Sequence, residues 1–238
     1  MSHLDTMKKH WEENFRRMAG KSKGFQKFAN GTLTIEEYKA ILREVFHNAR
    51  ENSQIMAMAS FHFKGIQREI VQTLLRHAQQ ESGNEKLTRQ DLEALGEDTS
   101  DMPFERPSPS SLALTGAITY LIQNKDPAAL LGYIFHLEYT HVQMGGLYIE
   151  GLREMGVPET AMTFIAENTK VDVSHVMLIE EYTKKMIQTP EQLESVLYAM
   201  RVTSELYAKM VDDAVDSAGA ETGRYGFDQH EVPVVLAH

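Results

Sequence analysis

Apolar residues recur at three- and four-residue steps along most of the chain, and no stretch alternates apolar and polar positions for long enough to make a strand. The pattern predicts an all-α protein. A first helix covers about 3–19 and stops where Gly20–Gly24 interrupts it. "TLTIEEYKAILREVFHNARENSQIMAMASFHF" opens a long second helix, with Thr34 as N-cap and Glu37 three positions on as the other half of a capping box. A third helix follows Gly65 through "IQREIVQTLLRHAQQE" to about Ser82, the "GN" at 83–84 breaks it, and "LTRQDLEALG" makes a short helix. Pro127, Pro158 and Pro190 each mark the first turn of a helix, near 127–155, 158–187 and 190–218. The segment 97–111 holds three of the seven prolines and reads as the one long loop, a lid or spacer rather than a domain boundary. With 238 residues and no internal repeat, one helical domain over 1–238 with a C-terminal tail at 221–238 is expected.

Three of these helices carry polar residues inside their apolar stripes. Along 127–155 the stripe runs Leu131, Ile134, Glu138, His141, Gly145, Tyr148, Leu152. Along 158–187 it runs Ala161, Ile165, Asn168, Asp172, His175, Ile179, Tyr182, Met186, and the third helix shows Ile66, Ile70, Leu74, His77, Glu81. "EYTH" at 138–141 and "DVSH" at 172–175 thus each put a carboxylate and an imidazole about one turn apart on a core-facing side. Burying such groups unpaired costs several kcal/mol, so they must find partners.

Composition narrows what those partners are. The formal charge of −10, from 24 Lys+Arg against 34 Asp+Glu, repels nucleic acid and anionic membrane surfaces. The absence of cysteine excludes disulfides, thiolate-held zinc, iron–sulfur clusters and a cysteine nucleophile. No signal-like segment and no membrane-length apolar run is present, so a cytoplasmic location is expected. Any metal must be held by oxygen and nitrogen. Facing Glu-x-x-His-type pairs on neighbouring helices enclose divalent ions in carboxylate-bridged bundles, and an oxygen-rich site with imidazoles suits iron or manganese. A buried hydrogen-bond network that only fixes helix register is the alternative origin of the same pattern. His47 and His62 read as packed or partly exposed, His230 and His238 as solvent-facing, and the methionines as core or pocket wall.

"GFQKFANGTLTIEEYKAILREVFHNAREN", with the order of the later helices, resembles the heme-oxygenase-like superfamily: heme oxygenases, TenA thiaminases, PqqC and the heme-oxygenase-like diiron oxidases. The resemblance implies one helical bundle around a central cavity. TenA enzymes use a cysteine nucleophile, which this chain lacks. His10 and Gly145–Gly146 are similar in kind to the heme-oxygenase proximal histidine and distal glycines, but their spacing differs. Against the diiron oxidases, Glu81 matches the first ligand, Glu138 the middle one, and Asp172 with His175 the last motif. Asn84 or Thr88, and Asn168, stand where that pattern has histidines, and His141 and His77 lie one turn from matched ligands and could substitute. The resemblance therefore implies a metal set of Glu81, Glu138, His141, Asp172 and His175. It also implies iron, mononuclear or dinuclear, with manganese as an alternative, in an oxygen-activating oxidase using dioxygen and a small organic substrate, and a homodimer by family analogy. No residue is assigned a catalytic role, though helical phase puts Tyr133, Tyr148 and Tyr182 near such a site. A metal-free small-molecule-binding protein on the same scaffold is the competing expectation.

Overall fold

The computed structural model describes residues 2–218, apart from the side chains of 171–176. Among the described residues the chain is helical, without a strand: α1 (His3–Ala19), α2 (Lys23–Ala29), α3 (Ile35–Ser60), α4 (Val71–Glu81), α5 (Glu85–Ala94), α6 (Pro109–Asn124), α7 (Ala129–Glu154), α8 (Thr163–Met186) and α9 (Pro190–Ser217). The predicted tail at 221–238, with His230 and His238, lies outside the described residues. No helix among them is long and apolar enough to cross a membrane.

The helix starts follow local chemistry. Thr34 and Glu37 form the expected capping box, and Thr189 with Gln192 forms another at α9, where Pro190 occupies the first turn. α8 starts differently. Its own N-cap, Met162, offers no side-chain acceptor, and the buried carboxylate of Asp91 on α5 takes the bonds instead, from Thr163 N–H at 2.7 Å and Phe164 N–H at 3.0 Å. Burial, the largest influence, raises the Asp91 pKa against the opposing pull of these donors.

Three segments depart from the sequence reading. The Gly20–Gly24 interruption is followed at once by α2, capped by Ser22. α6 occupies a stretch to which no helix was assigned: Ser108 caps it, Pro109 sits in its first turn, and Leu114, Ile118, Leu121 and Ile122 form its buried stripe. Its many small hydroxyl residues and a glycine dilute the periodic signal. The third helix begins at Val71 after a 3-10 stretch, so Ile66 is exposed and the buried stripe starts at Ile70. The proline-rich loop before α6 is tied down: Arg43 bonds Glu97 at 2.8 Å and Glu105 at 3.1 Å, Ser108 Oγ donates to Glu44 at 2.7 Å, and Met102 is buried beneath it.

α7 is the central helix, packed between α8 and α9. Two glycines set how close it comes. A Cβ on Gly132 would meet the Val196 carbonyl oxygen of α9 at 2.1 Å, and one on Gly145 would meet Thr169 Oγ1 of α8 at 2.0 Å. Glu138 and His141 lie between these two close approaches.

Candidate metal centre

Glu81 closes the last turn of α4 and Glu138 lies mid-way along α7, and the two carboxylates converge on one imidazole. His77 Nε2 is 3.1 Å from Glu138 Oε1 and 3.8 Å from Glu81 Oε1. His77 is fully buried and Glu138 is 7 % exposed. The other ring nitrogen, Nδ1, is 3.1 Å from the Tyr182 hydroxyl, whose ring stacks on the imidazole at 5.9 Å. Burial raises the Tyr182 pKa, so its hydroxyl keeps its proton. A carboxylate only accepts, so with Glu138 facing Nε2 the ring carries its hydrogen there, and the neutral imidazole takes the Tyr182 O–H at Nδ1. Both nitrogens of His77 are therefore engaged, and the residue serves as a partner of the carboxylates.

Glu81 is held from its other side. Asn84 Nδ2 donates to Glu81 Oε2 at 3.0 Å and lies 3.4 Å from Asn168 Oδ1 of α8. The positions where histidines were expected thus carry two amides that meet across the gap between helices. Thr88 does not take part: its hydroxyl bonds the Glu85 carbonyl in its own helix at 2.7 Å. Glu81, Asn84, Glu138, His141 and Asn168 line one small polar cavity of about 40 Å³. Asp172 and His175 are four and seven residues beyond Asn168 on α8, and their side chains lie outside the described residues. Among the described residues, no three histidine, aspartate or glutamate side chains form a group that could hold a metal ion.

An apolar cavity of about 130 Å³ adjoins the polar one. His141, Leu137, Phe164 and Tyr207 line both, and the His141 ring meets Phe164 edge-on at 5.9 Å. Two polar atoms facing this apolar region, His136 Nδ1 and the Tyr148 hydroxyl, have no hydrogen-bond partner among the described residues. Burial pushes the His136 pKa down to about 3, so this imidazole is neutral. The three tyrosines picked out by helical phase separate here. Tyr182 holds His77. Tyr148 faces the apolar cavity. Tyr133 lines the polar one, where it accepts from Asn48 at 3.1 Å and donates to Asn52.

Sequence reasoning missed Asn48, Asn52, His136 and Tyr207. The two asparagines are one turn apart on α3 among buried Val45, Ala49 and Met56, the same signature that exposed Glu138 and His141. Tyr207 lies one turn from the buried Thr203 and one from Val211, on the core-facing stripe of α9. His10, the candidate heme ligand, is engaged elsewhere, with Nε2 at 3.1 Å from the Leu197 carbonyl.

A family described as iron-containing redox enzymes matches residues 39–208, which span every one of these groups except His10. The chain belongs to that family. No curated protein matches the chain in sequence. A domain of unknown function with a heme oxygenase-like fold from Shewanella denitrificans superposes with a TM-score of 0.83 at 20% identity, over 90% of this chain and 92% of that one. A TenA homologue from P. horikoshii gives 0.69 at 13% identity, over 91% and 99%. A TenA family transcription regulator from Silicibacter sp. gives 0.60 at 15%, over 90% and 96%. These likenesses establish the heme-oxygenase-like fold, as the sequence resemblance implied.

Proposed function

We propose that this family member is a non-heme, iron-dependent oxidase that uses dioxygen to oxidise a small organic substrate. The observation that carries the reading is the convergence of Glu81 and Glu138, from two different helices, on the buried imidazole of His77. The two carboxylates, which line one cavity with His141, are hard donors of the kind iron and manganese take. Glu81 and Glu138 would hold the metal only together with Asp172 and His175 of α8, because the described residues by themselves form no three-donor group; His141 lines the same cavity. When bound, iron would supply the redox chemistry that dioxygen requires.

The chain's own groups do the rest. His77 donates to Glu138 and Asn84 to Glu81, which fixes the carboxylates and leaves their remaining lone pairs directed by the helices. The apolar cavity takes the substrate's carbon body and keeps water from it. Tyr207 sits where the two cavities meet. Burial pushes its pKa up to about 12, so its hydroxyl keeps its proton at neutral pH and can donate a hydrogen bond to substrate there. Family analogy adds a homodimer, which sedimentation velocity tests.

The test is anaerobic titration of iron(II), and separately manganese(II), into wild type and Glu138→Ala, followed by desalting and metal analysis. Retained iron in wild type and its loss in the variant support the reading. Iron retained by neither protein overturns it in favour of a metal-free binding protein, for which the Asn84–Asn168 contact across the polar cavity is the supporting observation.

A further inference from the structure

Between α1, the turn that follows it and α9, a cleft of about 450 Å³ is lined by Arg17, Lys21, Arg201 and Lys209, with Glu205 and Asp212 as its acids. In a chain of formal charge −10, four cations in one cleft run against the overall balance. The acids neutralise them only in part, with Asp212 acting, beside Asp213 and Asp216, on Lys209 of the four. Asp212 is committed to the wall, accepting from Ser22 Oγ at 2.5 Å and from Gly24 N–H at 2.9 Å. Glu205 is shared: one oxygen serves Arg201 Nε at 2.9 Å and Arg17 Nη2 at 3.8 Å. Lys209 pairs with Asp213, while Lys21 makes no ion pair among the described residues. Two guanidiniums on a single carboxylate oxygen and an unengaged ammonium leave the cleft short of negative charge.

A second feature is independent of the charges. Asn14, 2 % exposed, also lines the cleft. Its side-chain oxygen accepts from Arg17, which fixes the amide orientation, and its Nδ2 has no hydrogen-bond partner among the described residues. A buried N–H without an acceptor is costly, and it stands beside the arginine that it orients. Every unmet group here is a donor or a cation.

We propose that this cleft binds a small organic phosphate monoester, its phosphoryl oxygens taken by Arg17, Arg201, Lys21 and the Asn14 amide. Guanidinium forks match phosphoryl oxygens in geometry as well as charge. The cleft is far larger than a bare inorganic ion needs, so the rest of the ligand lies along the α1–α9 groove. Met18 lines both this cleft and the apolar cavity and forms the wall between them. The proposal does not depend on the metal reading, because none of its residues belongs to the metal set.

Calorimetric titration of the full-length, metal-free protein at low salt tests it, with ribose 5-phosphate, ribose and inorganic phosphate as the three ligands. Saturable binding of ribose 5-phosphate is expected, at least tenfold tighter than inorganic phosphate, with none for ribose. Lys21→Gln and Arg201→Gln, both on exposed side chains that leave the fold intact, should each weaken it about tenfold. Circular dichroism melting checks that both variants remain folded. Asn14→Leu should weaken it further. Absence of binding to wild type overturns the proposal, and so does binding unchanged in Lys21→Gln and Arg201→Gln. Equal affinity for inorganic phosphate and the monoester overturns the assignment to an organic phosphate.

Discussion

Replacing His77 by leucine tests the arrangement of the polar cavity most sharply. The imidazole is fully buried, with one nitrogen 3.1 Å from Glu138 and the other 3.1 Å from Tyr182. Leucine fills a similar volume, so the packing loss is small and the change falls on hydrogen bonds. Tyr182, itself fully buried, loses the acceptor for its hydroxyl, and the Glu138 carboxylate loses its imidazole donor. Leaving a buried carboxylate and a buried hydroxyl each without its partner costs about 1–3 kcal/mol apiece, about 3–5 kcal/mol together. With a urea dependence of about 3 kcal/mol/M, that lowers the unfolding midpoint by roughly 1–2 M. His77→Gln, which keeps an N–H within reach of Glu138, should recover about half of the loss. Iron(II) affinity of the folded variants should fall about 10–100-fold, the effect of removing a group that orients a ligand rather than binding the metal. Urea unfolding at pH 7 measures the first quantity and anaerobic titration the second. A midpoint shift corresponding to less than about 1 kcal/mol in His77→Leu, or complete loss of iron in folded His77→Gln, would refute the role given to this residue.

Acid should destabilise the protein before it reaches the carboxylate range. His136 and His47 are buried with pKa values pushed down to about 3 and about 4, chiefly by burial, so both stay neutral in the fold and protonate near pH 6.5 when unfolded. Their contribution is fully present above pH 6.5 and is lost as pH falls toward 4, about 2 kcal/mol each between pH 7 and pH 5; urea midpoints measured across that range should drop, and in His136→Gln about half as steeply. Gly145→Ala drives a methyl into Thr169 and should cost about 1–3 kcal/mol, partly restored by adding Thr169→Ala, which removes the hydroxyl and methyl it meets, with thermal melts as the readout. Asp91→Ala removes the acceptor of the α8 N-terminus and should cost about 2–3 kcal/mol, seen as faster amide hydrogen exchange at Phe164 than at the start of α9.

The fold was legible because helical stripes and capping boxes were present in the sequence, and they placed α1, α3 and α9 close to their observed spans; of the three expected helix-starting prolines Pro190 occupies a first turn, whereas Pro127 and Pro158 lie outside α7 and α8, which begin at Ala129 and Thr163. α6 was not legible because Ser110, Ser111, Thr115 and Gly116 dilute its periodicity, and because Pro109, read as part of a loop, in fact occupies a first turn. The convergence of Glu81 with Glu138 could be anticipated from polar residues interrupting apolar stripes. Which nitrogen or oxygen faces which could not, because that depends on the packing of α4 against α7 and α8. His77 shows the difference: from spacing alone it looks like a ligand, whereas Tyr182, on another helix 105 residues away, fixes it as a hydrogen-bond partner. Asp91 likewise caps a helix 72 residues distant, a relation that no local motif encodes.

The central claim is that iron is held by carboxylate and imidazole in the cavity between α4, α7 and α8. Iron K-edge X-ray absorption of protein loaded anaerobically with one equivalent of iron(II) and desalted examines that shell directly. The account predicts a shell of oxygen and nitrogen donors with the multiple-scattering signature of imidazole, and with the bound iron lost in Glu81→Ala and Glu138→Ala. A spectrum of hydrated iron without imidazole scattering, or an unchanged shell in both variants, would contradict it.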